Sequence, residues 1–448
     1  MEENKMASAP IKKLVLTTGI PLMISLLISN LYNFVDSIFV AHISEKALTA
    51  LSLANPIQVL MSALGMANAV GLNAAISKAL GKKDQKEVEQ TATSAIWLAF
   101  IFWLILVILS IFILKPYFLS QSNHNLEITN YGISYLRICM LASLGVMGQW
   151  VFDRFTISSG KTHLFLITLS SGAIVNIILD PIFIFGYFGL PQMGIAGAAI
   201  ATIIGQFVGA TMGIIINKKY NKEIPIHFSL IPNFKCVKNI LSVGVPSGIA
   251  QAMLSMMGIY VNSILIDFSS TAVAVNGVLV KIQSLILVPI WGLNNGLVPL
   301  VAYNYGSHQL KRSFDSLKWS LIYEYGIFII LLILLELFPS KILYLFDASK
   351  HMLQMGVPAM RILGFAYLIS IVSLALSSTF QGFSKGLQAM ILTLSRQVIL
   401  LFIFLTLFKS FNQINLIWFA YILAEVCCLP IGYMMYKKIK KKVIEEIS

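Results

Sequence analysis

The chain has 448 residues, of which 57% belong to the AVILMFWYC set and only 11% are charged, with a mean hydropathy of +0.82. Soluble domains average about 45–50% apolar and about 25% charged residues, so this chain cannot cover a water-facing surface and its main solvent must be lipid. The net charge of +13 is no nucleic-acid footprint, because the basic residues fall in short loops between apolar runs.

The N-terminal segment from Met1 to Pro10 is polar and carries both charge signs. The apolar run behind it lacks a small-residue cleavage site, so it reads as a retained membrane helix. A helix needs roughly 20 apolar residues to cross the ~30 Å hydrocarbon core. In chain order the spacing predicts twelve spans, over 14–41, 48–77, 91–119, 130–158, 164–186, 192–217, 239–266, 271–303, 316–346, 354–381, 388–409 and 414–436. None reads as an alternating strand of a membrane barrel. The expected fold class is an all-α polytopic membrane protein. The cysteines Cys139, Cys236, Cys427 and Cys428 form no CxxC pair, so neither a disulfide framework nor a zinc site is implied.

With the N-terminus in the cytoplasm, the basic clusters Lys82–Lys83, Lys218–Lys219 and Lys437–Lys442 lie inside. The outer segments hold only Lys46, Lys115, Lys341, Lys350 and Lys409. This positive-inside pattern predicts a multi-pass protein of the cell membrane with both termini cytoplasmic.

The two halves repeat. Gly19-Ile20-Pro21 returns as Gly244-Val245-Pro246 at an offset of 225 residues, and Gly71 with Gly296 and Gly81 with Gly306 share that offset. Small residues recur wherever helices pack closely, but that does not explain a constant offset. Six spans per half is even, so the repeats enter the membrane in the same orientation. The expectation is two six-helix bundles related by a pseudo-twofold axis along the membrane normal, with substrate taken between lobes. The predicted domains are an N-terminal lobe over 1–217, a cytoplasmic linker over 218–238 and a C-terminal lobe over 239–448.

Ionisable residues inside a span cost about 2.5–3.5 kcal/mol on insertion scales and mark function by default. Asp36 lies in the first span, with Tyr32 and Asn33 one turn back on its face. Asp180 lies in the fifth, stacked on Asn176 four residues earlier. Pro181 has no N–H to give the Ile177 carbonyl. Carboxylate, amide and carbonyl on one face make an oxygen-rich cage for Na⁺ or a proton, to which Thr202 of the sixth span adds a hydroxyl. The competing reading is that both aspartates only cap or pair within their lobe.

Other in-span charges carry less weight. Arg137 and Arg361 occupy matching repeat positions, which points to a shared structural role. Glu324 and Glu336 fall toward the two ends of the predicted ninth span, where side chains reach water easily. Glu425 either binds a cation or pairs with Arg396. A substrate cavity is expected near Gln251, Met253, Met256 and Met257 of the seventh span and Lys281 and Gln283 of the eighth, since methionine suits varied apolar ligands; ordinary packing is the plainer account of the methionines. Ser159-Gly160-Lys161-Thr162 ends like a phosphate-binding loop, but Phe155 stands where that motif needs glycine. No hydrolase signature occurs, so the chain is not expected to be an enzyme.

Gly19-Ile-Pro21 with Val35-Asp36-Ser37, the run Asn176-Ile-Ile-Leu-Asp180-Pro-Ile-Phe-Ile-Phe-Gly186, the run Gly194 to Thr202, and Gly292-Leu-Asn-Asn-Gly296 through Asn304-Tyr-Gly306 together resemble the multidrug and toxic compound extrusion (MATE) transporters. The resemblance covers about residues 10 to 437 and extends to the branch with its cation site in the N-terminal lobe. It implies a site of Asp36, Asn176, Asp180, Thr202 and Tyr135, with Na⁺ as a metal reading of the first four. It implies export of amphipathic compounds or organic cations in exchange for H⁺ or Na⁺, by a protein with no cofactor. The partners expected are small-molecule substrates and membrane lipids, not nucleic acid, and the chain is expected to act as a monomer. The alternative is a lipid-linked precursor flippase of the same superfamily, which would need a strongly cationic cavity.

Overall fold

The computed structural model describes residues 4–41, 43–122, 125–226, 231–346 and 348–446, without the side chains of residues 37, 38, 41, 45 and 48. Part of the predicted linker, 227–230, lies outside the described residues. Within them the chain is helical and contains no strand. Ten helices are long and apolar enough to cross a membrane, and two bent pairs bring the count to twelve if each is one span.

The spans are α1 (Ile11–Ala41), α2 (Glu45–Gly81), α3 (Gln85–Phe112), α4 (Leu126–Leu141 with Leu144–Ser158), α5 (Thr162–Phe185), α6 (Gly194–Tyr220), α7 (Phe234–Phe268), α8 (Ser270–Ile286 with Val288–Gly306), α9 (Leu310–Leu337), α10 (Lys350–Gly382), α11 (Gly386–Lys409) and α12 (Ile414–Glu445). Their outer faces carry Ile111, Phe112, Ile330 and Leu337 at 63–71% exposure. Apolar surface so exposed along spanning helices is what lipid solvation permits.

Two predicted ends are corrected. The third span stops at Phe112, and Leu114–Gln121 forms a separate short helix. Pro116 has no N–H for the Phe112 carbonyl, so the ladder breaks there. The ninth stops at Leu337 rather than 346, and Pro339 opens a new helix, Pro339–Tyr344, a first-turn position that suits proline. Prolines also explain one bend: Pro289 follows the 48° break in α8. The 46° break in α4 has no proline. There Ser143 Oγ donates to the Met140 carbonyl at 2.8 Å, and Trp103 Nε1 of α3 donates to the Leu141 carbonyl at 2.8 Å, so the bend leaves its carbonyls satisfied.

The chain divides into two compact units. One is Ile24–Gly248; the other joins the chain up to Met23 to the chain from Ile249 onward. In the 24–248 unit a Cβ on Gly71 of α2 would collide with the Ile240 carbonyl at the start of α7. In the other unit Gly296 of α8 meets Thr18 at the start of α1, where a Cβ would lie 3.2 Å from Thr18 Cγ2. The two glycines sit 225 residues apart and receive equivalent helix starts, so the repeat read from the sequence is a repeat of packing. In the second unit Arg312 also ties the N-terminal segment down, donating to the Met6 and Ala9 carbonyls at 3.0 and 2.8 Å and to Asn304 Oδ1 at 3.0 Å.

Candidate functional site

Helices α5 and α6 pack tightly because both present glycine at the crossing. A Cβ on Gly172 would lie 2.7 Å from the Gly205 carbonyl oxygen, and a Cβ on Gly205 would lie 2.7 Å from the Gly172 carbonyl oxygen. Glycine alone permits this approach. It sets Asn176, one turn beyond Gly172, against Thr202, almost one turn before Gly205.

The result is a buried polar cluster. Asn176 Nδ2 donates to Asp180 Oδ1 at 3.2 Å and to Thr202 Oγ1 at 3.4 Å. Asp180 is fully buried and Asn176 is 3% exposed. Three oxygens here are buried without a hydrogen-bond partner among the described residues: Asp36 Oδ1, Asn176 Oδ1 and Asp180 Oδ2. Buried acceptors left unpartnered cost about 1–3 kcal/mol each. A set of three in one place calls for a cation or protons.

The cluster opens on a cavity of about 710 Å³, within the range of drug-sized sites. Asp36, Asn176, Thr202 and Tyr135 line it, with Asp180 one turn behind Asn176. Tyr135 is held by Gln58, whose Nε2 donates to its hydroxyl at 3.2 Å. The wall is amphipathic: Tyr32, Trp150, Phe165, Met61 and Met147 alternate with Asn55, Gln149 and Gln206. The acidic and basic side chains on it, among the described residues, are Asp36, Asp153 and Arg154.

All five residues expected to couple a cation are therefore part of one site. Asp153 was missed. It is 3% exposed and accepts a hydrogen bond from Thr168 Oγ1 at 2.5 Å. The available signal was a carboxylate inside the predicted fourth span. Its neighbour Arg154 made the stretch read as the cytoplasmic end of that span.

The other predicted set lies in the second unit, and none of it lines this cavity. Met257 is packed into a core with Val261, Ile264 and Val275, while Met256 is 64% exposed; the methionines thus occupy different faces of α7. Gln251 and Lys281 are exposed, and Met253 and Gln283 half-buried.

The open question over Glu425 is answered by geometry: Arg396 Nη1 donates to Glu425 Oε1 at 2.7 Å, both side chains nearly buried. Arg396 is placed by a π-helical turn, Ser395–Leu400, within α11. Arg361 pairs with Glu336 at 3.3 Å. Glu324 departs from expectation. It is not near a span end but midway along α9, and fully buried.

A family model described as MatE matches residues 21–182 and 246–407. The second match starts 225 residues after the first, the offset of the glycine repeat. The chain is 24% identical over 442 residues to the multidrug export protein MepA of Staphylococcus haemolyticus (strain JCSC1435), covering 97% of this chain and 96% of the relative. A solved structure described as the outward-facing conformation of a multidrug resistance MATE family transporter of the MOP superfamily superposes with a TM-score of 0.92 at 22% identity, covering 99% of each chain. A second, from Pyrococcus furiosus, gives 0.91 at 22% identity with the same coverage. Its description is of a MOP superfamily transporter whose binding pocket of reverse polarity suggests a different function. At these identities the two structures establish the fold, twelve membrane helices in two bundles.

Proposed function

The chain belongs to the MatE family of membrane transporters and is not an enzyme, and on that premise we propose that it exports small amphipathic or cationic compounds across the cell membrane in exchange for H⁺ or Na⁺. The observation that carries this reading is the set of three unpartnered buried oxygens, on Asp36, Asn176 and Asp180, beside the cavity of about 710 Å³. Na⁺ would be held by these oxygens with Thr202 Oγ1; protons would be held on the two carboxylates. In either case the ion is cargo, not a resident cofactor.

The cavity's aromatic and methionine wall takes the apolar part of the substrate. Asp36 and Asp153 against the single Arg154 favour a positive group over a phosphate, which supports drug efflux rather than the flippase reading. Ion entry from outside neutralises Asp36 and Asp180 and repacks α1, whose Pro21 lies just before the point where the helix passes from one compact unit to the other. Substrate leaves outward, the ion leaves inward, and the transporter reloads. Both termini lie in the cytoplasm, 218–238 connects the two sequence repeats, and one chain is the working unit.

The test is efflux of a fluorescent organic cation from cells and proteoliposomes, with the H⁺ and Na⁺ gradients collapsed in turn. Efflux stops when the coupling gradient is removed. Asp36→Asn and Asp180→Asn each lower ion-driven efflux about tenfold or more, since each removes a charged ligand contributing about 1.5–3 kcal/mol. Full efflux in both variants refutes the proposal.

A further inference from the structure

The second unit contains a buried acid that none of the reasoning above uses. Glu324 is fully buried midway along α9. Its Oε1 accepts a hydrogen bond from Ser320 Oγ at 2.7 Å. Its Oε2 is buried without a partner, and so is Oδ1 of Asn294, whose side chain faces the same carboxyl from α8. The Asn294 amide cannot simply turn over, because its Nδ2 donates to the Ile290 carbonyl at 2.9 Å. A flip would set oxygen against oxygen there. A fully buried carboxyl oxygen with no donor and no counter-charge is completed by a single proton.

We propose that Glu324 is a proton-binding site of the second unit, holding the proton on its unpartnered Oε2. Sodium fits less well. It needs several oxygens, and Glu324 Oε1 and Ser320 Oγ are already committed to each other. The helices packed on α9 offer no counter-charge. On α8 the facing polar group is Asn294. On α10 the titratable neighbours are Tyr367, in the apolar cluster with Phe328 and Ile371, and Arg361, which is paired with Glu336. On α9 itself Tyr325 is adjacent. Lys12 of α1 lies over the Trp319 ring, and Lys341 of the short Pro339–Tyr344 helix over Phe338. Among the described residues no basic side chain faces Glu324.

The site also has a mechanical outlet. Asn294 follows Gly292 and Leu293, the residues on which the start of α1 rests: a Cβ on Gly292 would lie 2.7 Å from Met23 Cα, and one on Gly19 lies 3.4 Å from Leu293 Cα. Losing the proton leaves a buried charge beside that contact. This proposal does not depend on the Asp36–Asp180 reading, and its test needs no transport.

The experiment is infrared spectroscopy of the full chain in lipid, following the stretch of protonated carboxyl groups from neutral to alkaline pH. Wild type has such a band at neutral pH, and Glu324→Gln loses its Glu324 component, while Asp36→Asn/Asp180→Asn retains it. Ser320→Ala removes the hydroxyl bonded to Oε1, so it shifts that component to higher frequency without removing it. This second variant serves if Glu324→Gln folds poorly. An unchanged spectrum in Glu324→Gln, or no shift in Ser320→Ala, overturns the proposal.

Discussion

The glycine crossing beneath the ion cluster makes a quantitative prediction. In Gly205→Ala the new Cβ would lie 2.7 Å from the Gly172 carbonyl oxygen and 3.1 Å from Asn176 Cβ. Ordinary contact begins near 3.4 Å, so α5 and α6 must part by about 0.7 Å, because the obstructing atom is backbone and cannot rotate away. Overpacking of this kind costs about 1–3 kcal/mol, offset by up to about 1 kcal/mol of better helix propensity. The same displacement stretches the Asn176–Thr202 contact, already 3.4 Å, beyond hydrogen-bond range. Losing one such bond costs about 0.5–1.5 kcal/mol, a weakening of ion affinity of about two- to tenfold. Thermal unfolding in detergent reads the first effect. Efflux rate against coupling-ion concentration reads the second, as a raised half-saturation. Gly258→Ala is the control, since a Cβ there meets nothing within 4 Å, and it should melt no lower than wild type. If Gly205→Ala matched wild type in both melting and ion dependence, the packing argument for this site would fail.

Two further predictions concern the second unit. Arg396→Met leaves Glu425 buried without its partner and should destabilise by about 3–5 kcal/mol, whereas Arg396→Met/Glu425→Leu should recover most of the loss. Melting of the single and double variants measures the coupling, and additive losses would refute a direct pair. Near the C-terminus, burial pushes the Glu446 carboxyl upward, but hydrogen bonds from Tyr305 and Lys385 outweigh it and hold the group below its usual range. A depressed carboxylate contributes stability above its unfolded-state value and loses it as pH falls through the folded one. The end of α12 should therefore lose protection against hydrogen exchange, relative to the intrinsic rate, in acid, and Glu446→Gln should lack that protection already at neutral pH; equal protection in the variant at neutral pH would contradict this.

The spans were legible because lipid solvation imposes one simple rule, long apolar runs, and each predicted run falls on a spanning helix, although several helices extend past it into polar sequence, as α12 does beyond 436 to Glu445. The errors lie where proline acts through the backbone rather than through hydropathy. The run through 346 stays predominantly apolar past Leu337, yet Pro339 opens a new helix. That error moved Glu324 from mid-helix to helix end and hid its burial. Asn176, Asp180 and Thr202 were legible from i,i+4 spacing on neighbouring spans. The third dimension decided the rest. Arg396 and Glu425 were both visible, but only packing at the π-turn showed that they satisfy each other. Asp153 was masked by the charge next to it, and Tyr135 entered through family resemblance alone.

The buried acids differ in what completes them, and that difference orders their roles. Glu425 has its counter-charge within hydrogen-bond distance of Oε1, so its charge is balanced inside the fold even though its Oε2 is buried without a partner. Asp153 keeps one hydroxyl bond and a place on the cavity wall, which suits contact with whatever occupies the cavity. Asp36 and Asp180 have orphan oxygens beside that cavity, so an ion can reach them and leave again. Glu324 has an orphan oxygen, is fully buried beside the apolar Phe328 and Leu332 cluster and has no counter-charge among the described residues, a place for a proton and little else. An exchanger needs sites whose occupancy changes during the cycle, and a buried acid with an orphan oxygen and no counter-charge is such a site. Replacement should therefore separate them: neutralising Asp36 or Asp180 abolishes coupling, whereas neutralising Glu425 alone lowers stability by leaving Arg396 unpaired.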